Sequence, residues 1–190
     1  MIKDIFLYYY WIITGRRTPA KGEIKRFILK QYADKYKLGS FVETGTFNGD
    51  TVEAMRTFFK VAHSIELSKE LYTKAKKRFA NFKNVTIWQG DSGKVLKQIL
   101  PTLKTSTLFW LDAHGSGGIT AEGEEWSPII KELHLITKVS KIKHVILIDD
   151  ARGFTGHLSA TIREIEAVIA ENHPKYEFEV KDDIIRIILN

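Results

Sequence analysis

Short apolar runs alternate along this chain with longer stretches whose apolar positions recur near every 3.6 residues. Runs of four to eight bounded by turn residues read as buried strands, and the longer periodic stretches read as helices. The first run, Ser40–Glu43, leads through a glycine turn into a helix over Asp50–Lys60. Val61–Leu67 follows as a second strand, then a helix over Lys69–Phe79 with Leu71, Ala75 and Phe79 on one face. Val85–Gln89 is a third strand, and the helix Gly93–Leu100 stops at Pro101. Thr107–Leu111 and His144–Asp149 are the fourth and fifth strands; helices run from Pro128 to Thr137 and from Ser159 to Glu171, and Asp112–Trp126 reads as a long polar, glycine-rich loop. Tyr176–Val180 and Ile184–Leu189, joined by a polar turn, form a hairpin. Strands alternating with helices in this way predict an α/β fold. It is Rossmann-like and doubly wound, a mostly parallel seven-stranded sheet with helices on both faces and a C-terminal antiparallel hairpin.

Residues 1–39 stand ahead of this domain, which spans residues 40–190. Ile5–Ile13 is apolar and aromatic, too short for a bilayer span of about 20 residues, and without the small-residue cleavage site of a signal peptide. Glu23–Lys37 reads as a helix, with Ile24, Phe27, Ile28, Ala33 and Tyr36 at helical spacing and Gly39 ending it. Charge changes this picture more than composition does. The net charge is +6, and residues 1–40 hold nine Lys and Arg against three Asp and Glu, so the remainder of the chain is balanced. A neutral body offers no field for gripping nucleic acid, which is not an expected partner. The apolar N-terminal stretch either covers the domain or a homodimer contact, or lies on a membrane surface through residues 1–17, aromatic side in and Arg16–Arg17 out. With 190 residues, 44% of them hydrophobic, 27% charged and none cysteine, the chain reads as one soluble domain without disulfides or thiolate metal sites, compatible with a reducing cytoplasm.

The candidate chemistry gathers where strands end. Glu43-Thr44-Gly45-Thr46-Phe47-Asn48-Gly49 is a glycine turn between strand and helix, where the backbone can come close to a ligand. It lacks the Lys-Ser/Thr of a phosphate-binding loop and the glycine spacing of the dinucleotide fingerprint. A carboxylate at Glu43 would repel a pyrophosphate and suits a cationic ligand. Glu66 lies 21 residues beyond Gly45, at the spacing of an acid that accepts from ribose hydroxyls. Asp91-Ser92 closes the third strand within reach of a nucleobase amino group. Singly each acid could be a helix N-cap; together, Glu43, Thr44, Gly45, Thr46, Gly49, Glu66, Asp91 and Ser92 read as a nucleoside pocket. Asp112 ends the fourth strand and Asp149-Asp150 the fifth. Three converging carboxylates repel one another unless a cation intervenes, and oxygen ligands favour Mg²⁺, Mn²⁺ or Ca²⁺; the alternative is one N-cap and one loop acid. His114 is the candidate general base, with His157 second, while His63, His134, His144 and His173 sit where structural histidines do.

In these motifs residues 41–190 resemble the class I S-adenosylmethionine-dependent methyltransferases. Glu43-Thr-Gly-Thr-Phe-Asn-Gly49, Ile65-Glu66, Gly90-Asp91-Ser92, Leu111-Asp112 and Ile148-Asp149-Asp150 look like the cation-dependent O-methyltransferase branch, which includes the catechol and macrocin enzymes. The resemblance implies S-adenosyl-L-methionine in the pocket, with Asp112 beside it, and Mg²⁺ or another divalent cation on Asp112, Asp149 and Asp150. It also implies a catalytic role for Asp112, with His114 two residues beyond it as the candidate base, and a small-molecule or sugar hydroxyl as acceptor; the expected location is the cytoplasm, free or peripheral at the membrane. Gly115 stands where the catechol enzymes carry a catalytic lysine, and the loop from Gly115 to Gly123 aligns with neither enzyme. The chain is also similar to bacterial methyltransferase-like proteins with Glu-Thr-Gly-Thr and Leu-Asp-x-His motifs. Leu111-Asp112-Ala113-His114 differs from the Asn/Asp-Pro-Pro-aromatic motif of base-methylating enzymes. Two other readings remain open: metal-assisted hydrolysis or hydroxylation on the same fold, and a cofactor-binding or membrane-docked module without catalysis.

Overall fold

The computed structural model describes residues 2–112, 128–139, 142–156 and 160–190. Helices α1 (Ile2–Ile13) and α2 (Gly22–Lys35) precede β1 (Ser40–Thr44), α3 (Asp50–Met55), β2 (Val61–Glu66), α4 (Lys69–Arg78) and β3 (Val85–Gln89). Then come α5 (Ser92–Ile99), β4 (Thr107–Leu111), α6 (Ile129–Val139), β5 (Val145–Ile148), α7 (Ile162–Asn172), β6 (Tyr176–Lys181) and β7 (Ile184–Leu189). The seven strands form one sheet in the order β3-β2-β1-β4-β5-β7-β6. β1 to β5 run parallel, and β7 is antiparallel to both β5 and β6. This is the expected α/β architecture, hairpin included. Strand order reverses between β1 and β4, and in open α/β sheets that reversal opens a crevice beyond the strands' carboxyl ends.

The central strands β1, β4, β5 and β7 are buried on both faces while the edge strands β3 and β6 are partly exposed, and β4, β5 and β7 accordingly read as near-continuous apolar runs. Successive side chains point to opposite faces. Val42, Phe109, Leu111, Ile146 and Ile148 therefore enter one core, closed by Val95, Leu96 and Ile99 of α5, Leu133 and Ile136 of α6, and Ile165 and Ile169 of α7. Phe41, Leu108, Trp110, Val145 and Leu147 enter the other, closed by Trp11 of α1, Ile24, Ile28 and Leu29 of α2, and Met55 and Phe59. Residues 1–39 thus share a core with the sheet.

Several helix boundaries differ from the sequence expectation, and three of the differences have a visible cause. α2 ends at Lys35 rather than Lys37: Lys37 adopts φ 50°, its N–H reaches the Asp34 carbonyl, and the Leu38 N–H reaches the Ala33 carbonyl. That is a Schellman stop built on a lysine instead of Gly39. Gly39 is required for a different reason, since a Cβ there would meet Thr105 Oγ1 at 2.7 Å. α3 is six residues long, ending at Met55 instead of Lys60, because the chain turns there to bury Phe59 against Phe41. α7 begins at Ile162, behind a capping box in which Thr161 and Glu164 satisfy each other's backbone N–H.

The N-terminal helix has two unlike faces. Trp11 is buried and donates its indole N–H to the Arg17 carbonyl at 2.9 Å, while Leu7, Tyr8 and Ile12 pack on the same core. Phe6, Tyr9, Tyr10 and Ile13 face outward. The packed reading of this segment holds for its inner face. Among the described residues no helix is long and apolar enough to cross a membrane.

Asp182 ties this wall to the hairpin. It sits in the β6–β7 turn at φ 57° and accepts from Arg16 at 2.6 Å and from the buried Arg186 at 2.7 Å. Removing one partner of a buried ion pair strands the other's charge. Asp182→Asn keeps a side chain that tolerates positive φ, and should lower stability by on the order of 3 kcal/mol. Urea denaturation should show this as a lower midpoint at unchanged slope; an unshifted midpoint would mean that Arg186 finds its compensation in Glu179, 3.9 Å away.

Candidate active site

The expected pocket residues meet at the carboxyl ends of β1, β2 and β3. The glycine turn leaves β1 with Gly45 at φ 88°, a conformation an L side chain rarely adopts. Gly45 and Thr46 both donate their N–H to the Ile65 carbonyl, at 2.9 and 3.2 Å, so the turn is stitched to the end of β2. Gly49 serves packing: its Cβ would lie 2.6 Å from the Phe79 ring of α4. Thr44 is fully buried, and its Oγ1 has no hydrogen-bond partner among the described residues. An orphaned hydroxyl beside a left-handed glycine is a fitting wall for a polar ligand.

Glu43 is 2% exposed and accepts from Ser64 Oγ at 2.6 Å; Ser64 in turn shares a 2.6 Å hydrogen bond with Thr46 Oγ1. β1 pairs with β2 in a register that sets Glu43 opposite Ser64, so this chain of hydroxyls follows from the parallel ladder. Burial, and after it the nearby charge of Asp112, push the Glu43 carboxyl up to about 8, against the pull of the Ser64 hydrogen bond. A cationic ligand would favour its ionised form.

Glu66 spends both oxygens on backbone. Oε2 accepts from the Phe47 N–H at 2.8 Å and Oε1 from the Ser68 N–H at 2.9 Å. It therefore clamps the glycine turn onto β2. A carboxylate has about four lone-pair sites, so two acceptor positions remain for a ligand's hydroxyls. Asp91 caps α5 by accepting from the Lys94 N–H at 3.0 Å, with the Lys131 ammonium 3.8 Å away, and Ser92 is buried next to it.

At the ends of β4 and β5 the structure places a residue that the sequence reading did not single out. Lys25 of α2 extends to them, its ammonium 2.6 Å from Asp149 Oδ2 and 3.2 Å from Asp150 Oδ1. Asp149 is 2% exposed, and its other oxygen accepts from the Asp150 N–H at 2.8 Å. Asp150 Oδ1 also accepts from Arg152 at 3.0 Å. Asp112 follows β4 and lies close enough for its charge to raise Asp149, after the larger effect of burial and against the attraction of Lys25. Burial alone would lower Lys25; Asp149 and then Asp150 more than reverse this, so its pKa is raised.

The expected metal set of Asp112, Asp149 and Asp150 is not available as such. A divalent cation needs several carboxylate or water oxygens around it, whereas the Lys25 ammonium already stands against Asp149 Oδ2 and Asp150 Oδ1, where such an ion would sit. Among the described residues no group of three His, Cys, Asp or Glu has the geometry to hold a metal ion. The residues present do not fit the group. No signal in the sequence marked Lys25, because a lysine beside a buried isoleucine on an amphipathic helix reads as solvated.

His114 and His157, the candidate bases, lie outside the described residues, as does the loop from Gly115 to Gly123. Two of the other histidines are structural as expected. His63 accepts from the Trp88 indole at 3.1 Å and is lowered by burial. His144 accepts from the Thr107 N–H at 3.2 Å and is held near 4 by burial and then by His173.

No protein-family model matches the sequence, and no curated protein matches it. Solved structures are similar over nearly the whole chain. An O-methyltransferase from Bacillus cereus in complex with SAH gives a TM-score of 0.66 at 14% identity, covering 100% of this chain and 91% of that one. The O-methyltransferase TomG from Streptomyces achromogenes, involved in tomaymycin synthesis and solved with SAM, gives 0.62 at 16% identity, covering 98% and 88%. The SAH-bound methyltransferase PaMTH1 from Podospora anserina gives 0.60 at 17% identity, covering 95% and 86%. At such identities the likeness is one of fold: the chain has the fold of these methyltransferases.

Glu43 generates a pH test. Between its unfolded value of 4.5 and its folded value of about 8, the folded state keeps a proton that the unfolded chain has released. Stability attributable to this group therefore falls as pH rises through that window, by up to about 1.4 kcal/mol per pH unit. Glu43→Gln should remove this component, so that the mutant gains on wild type from about pH 5 to about pH 8 in denaturation experiments. Parallel curves for the two proteins would show that Glu43 is ionised throughout.

Proposed function

We propose that this chain is an S-adenosylmethionine-dependent methyltransferase that acts on oxygen in a small molecule or sugar. One observation supports this most: the stitched glycine turn, with buried Glu43 and the backbone clamp of Glu66, stands at the switch point of a sheet shared with SAM- and SAH-bound O-methyltransferases. When bound, the cofactor supplies an electrophilic methyl group on a sulfonium.

The chain's own residues then have separable tasks. Gly45 admits the ligand to the backbone, and Thr44, Thr46 and Ser92 offer hydroxyls at its edge. Glu43 offers a carboxyl that can ionise beside a cation. Glu66 and Asp91 offer their remaining lone pairs to the ligand's hydroxyls and amino group, and Asp112 stands between this pocket and the acceptor side. A buried, preorganised cradle favours transfer by aligning oxygen, methyl and sulfur and by excluding water. The proton leaving the acceptor hydroxyl needs a base, and His114, two residues past Asp112, is the residue we propose for it. Divalent-metal assistance is not carried into this mechanism, because Asp149 and Asp150, two of the three aspartates meant to hold the metal, are paired with Lys25 and Arg152.

Titration calorimetry with S-adenosylhomocysteine tests the proposal. Wild type should bind one equivalent. Gly45→Val forces a β-branched side chain onto φ 88° and should weaken binding at least about 100-fold, or ~2.8 kcal/mol. Absence of binding by folded wild-type protein would overturn the reading, and equal affinity in the mutant would move the pocket elsewhere.

A further inference from the structure

We infer that Lys25 is the resident cation of the acceptor side: its ammonium fills the place between the ends of β4 and β5 that a divalent metal would need, and the site works without metal. The placement is built rather than incidental. Ile24 and Ile28 of α2 are buried against the sheet at 4% and 1% exposure, which fixes the helix on which Lys25 stands. The Lys25 side chain is itself 16% exposed and runs down onto Asp149, which is 2% exposed. Asp150 adopts φ 52°, a left-handed conformation unusual outside glycine, and this turns its carboxylate back to the same ammonium.

Two of the three aspartates are met by cations: Asp149 and Asp150 by Lys25, and Asp150 also by Arg152, which is shared with Asp183. A divalent ion on these oxygens would stand against an ammonium already in contact with both. Mg²⁺ also demands near-octahedral oxygen ligation and gives up its waters reluctantly, and here it would have to displace a lysine that two hydrogen bonds hold. An ammonium carries three donors, of which two are used among the described residues. The third can hydrogen-bond an acceptor oxygen, and the positive charge favours that oxygen as its proton leaves. The acceptor implied is one hydroxyl held by a hydrogen bond from nitrogen; chelation of two vicinal oxygens is not needed. This last step rests on the methyl-transfer reading, whereas the exclusion of metal does not.

The test is Mn²⁺ binding, followed by electron paramagnetic resonance of the full chain. Wild type should leave the spectrum of free Mn²⁺ unchanged at millimolar metal, and EDTA should not shift its melting temperature. Lys25→Met removes the charge and keeps an apolar stem; it should create one Mn²⁺ site, which a second change, Asp149→Asn, abolishes. Lys25→Arg keeps the cation and should stay metal-free, and its folding shows that the position tolerates replacement. Stoichiometric Mn²⁺ on wild type that is lost in Asp149→Asn would overturn the inference. So would a folded Lys25→Met protein that binds none, because Lys25 would then not be filling a metal's place. Neither result depends on S-adenosylhomocysteine binding, so failure here and failure of the methyltransferase reading are told apart.

Discussion

A parallel sheet has no solvent-tolerant face, and everything else in this molecule answers to that constraint. Its strands are apolar on both sides, so two layers of helices must cover them. One layer comes from the crossovers α5, α6 and α7. The other is completed only by α1 and α2, from the segment ahead of the first strand. A domain read as starting at Ser40 would leave Phe41, Leu108, Trp110 and Leu147 with half a covering, although all are at most 2% exposed in the structure. The N-terminal segment is therefore a wall of the fold, and as a wall it can deliver Lys25 to the far end of the sheet.

The same burial sets the problem of the acids at the strand ends, and each is compensated differently. Glu43 has only hydroxyls and is pushed up to about 8 by burial. Glu66 is satisfied by two backbone N–H groups. Asp91 is satisfied by a helix terminus and a distant lysine, and Asp149 by a lysine brought from another layer. Sites assemble where compensation is incomplete. Glu43 and the orphaned Thr44 hydroxyl are the two groups whose present partners leave most to gain from a ligand. They are adjacent in sequence and, on a strand, face opposite sides of β1.

Architecture and the addresses of the chemistry were legible in the sequence because both depend on local patterning. Period-two and period-3.6 apolar spacing located the strands and helices, and a parallel sheet puts its reactive residues at strand ends whatever the details. Helix ends were less legible. A lysine in left-handed conformation stops α2 where a glycine was expected, and the need to bury Phe59 shortens α3; both are decided by what the chain packs against.

What only the tertiary structure decided is how buried charges are paired, since partners far apart in sequence leave no trace in spacing. Three aspartates at neighbouring strand ends argue for a cation, and the sequence pointed to a divalent metal; two of the three, Asp149 and Asp150, meet the Lys25 ammonium instead. The sequence could not point to Lys25, which lies 124 residues before Asp149 and meets it only through the docking of α2 on one face of the sheet. Gly49 reads as a ligand-facing glycine until Phe79 is seen against it. Asp182 reads as a turn residue until Arg16 and Arg186 converge on it. Local sequence determines which groups exist and on which element they stand; the packing of layers determines which of them meet.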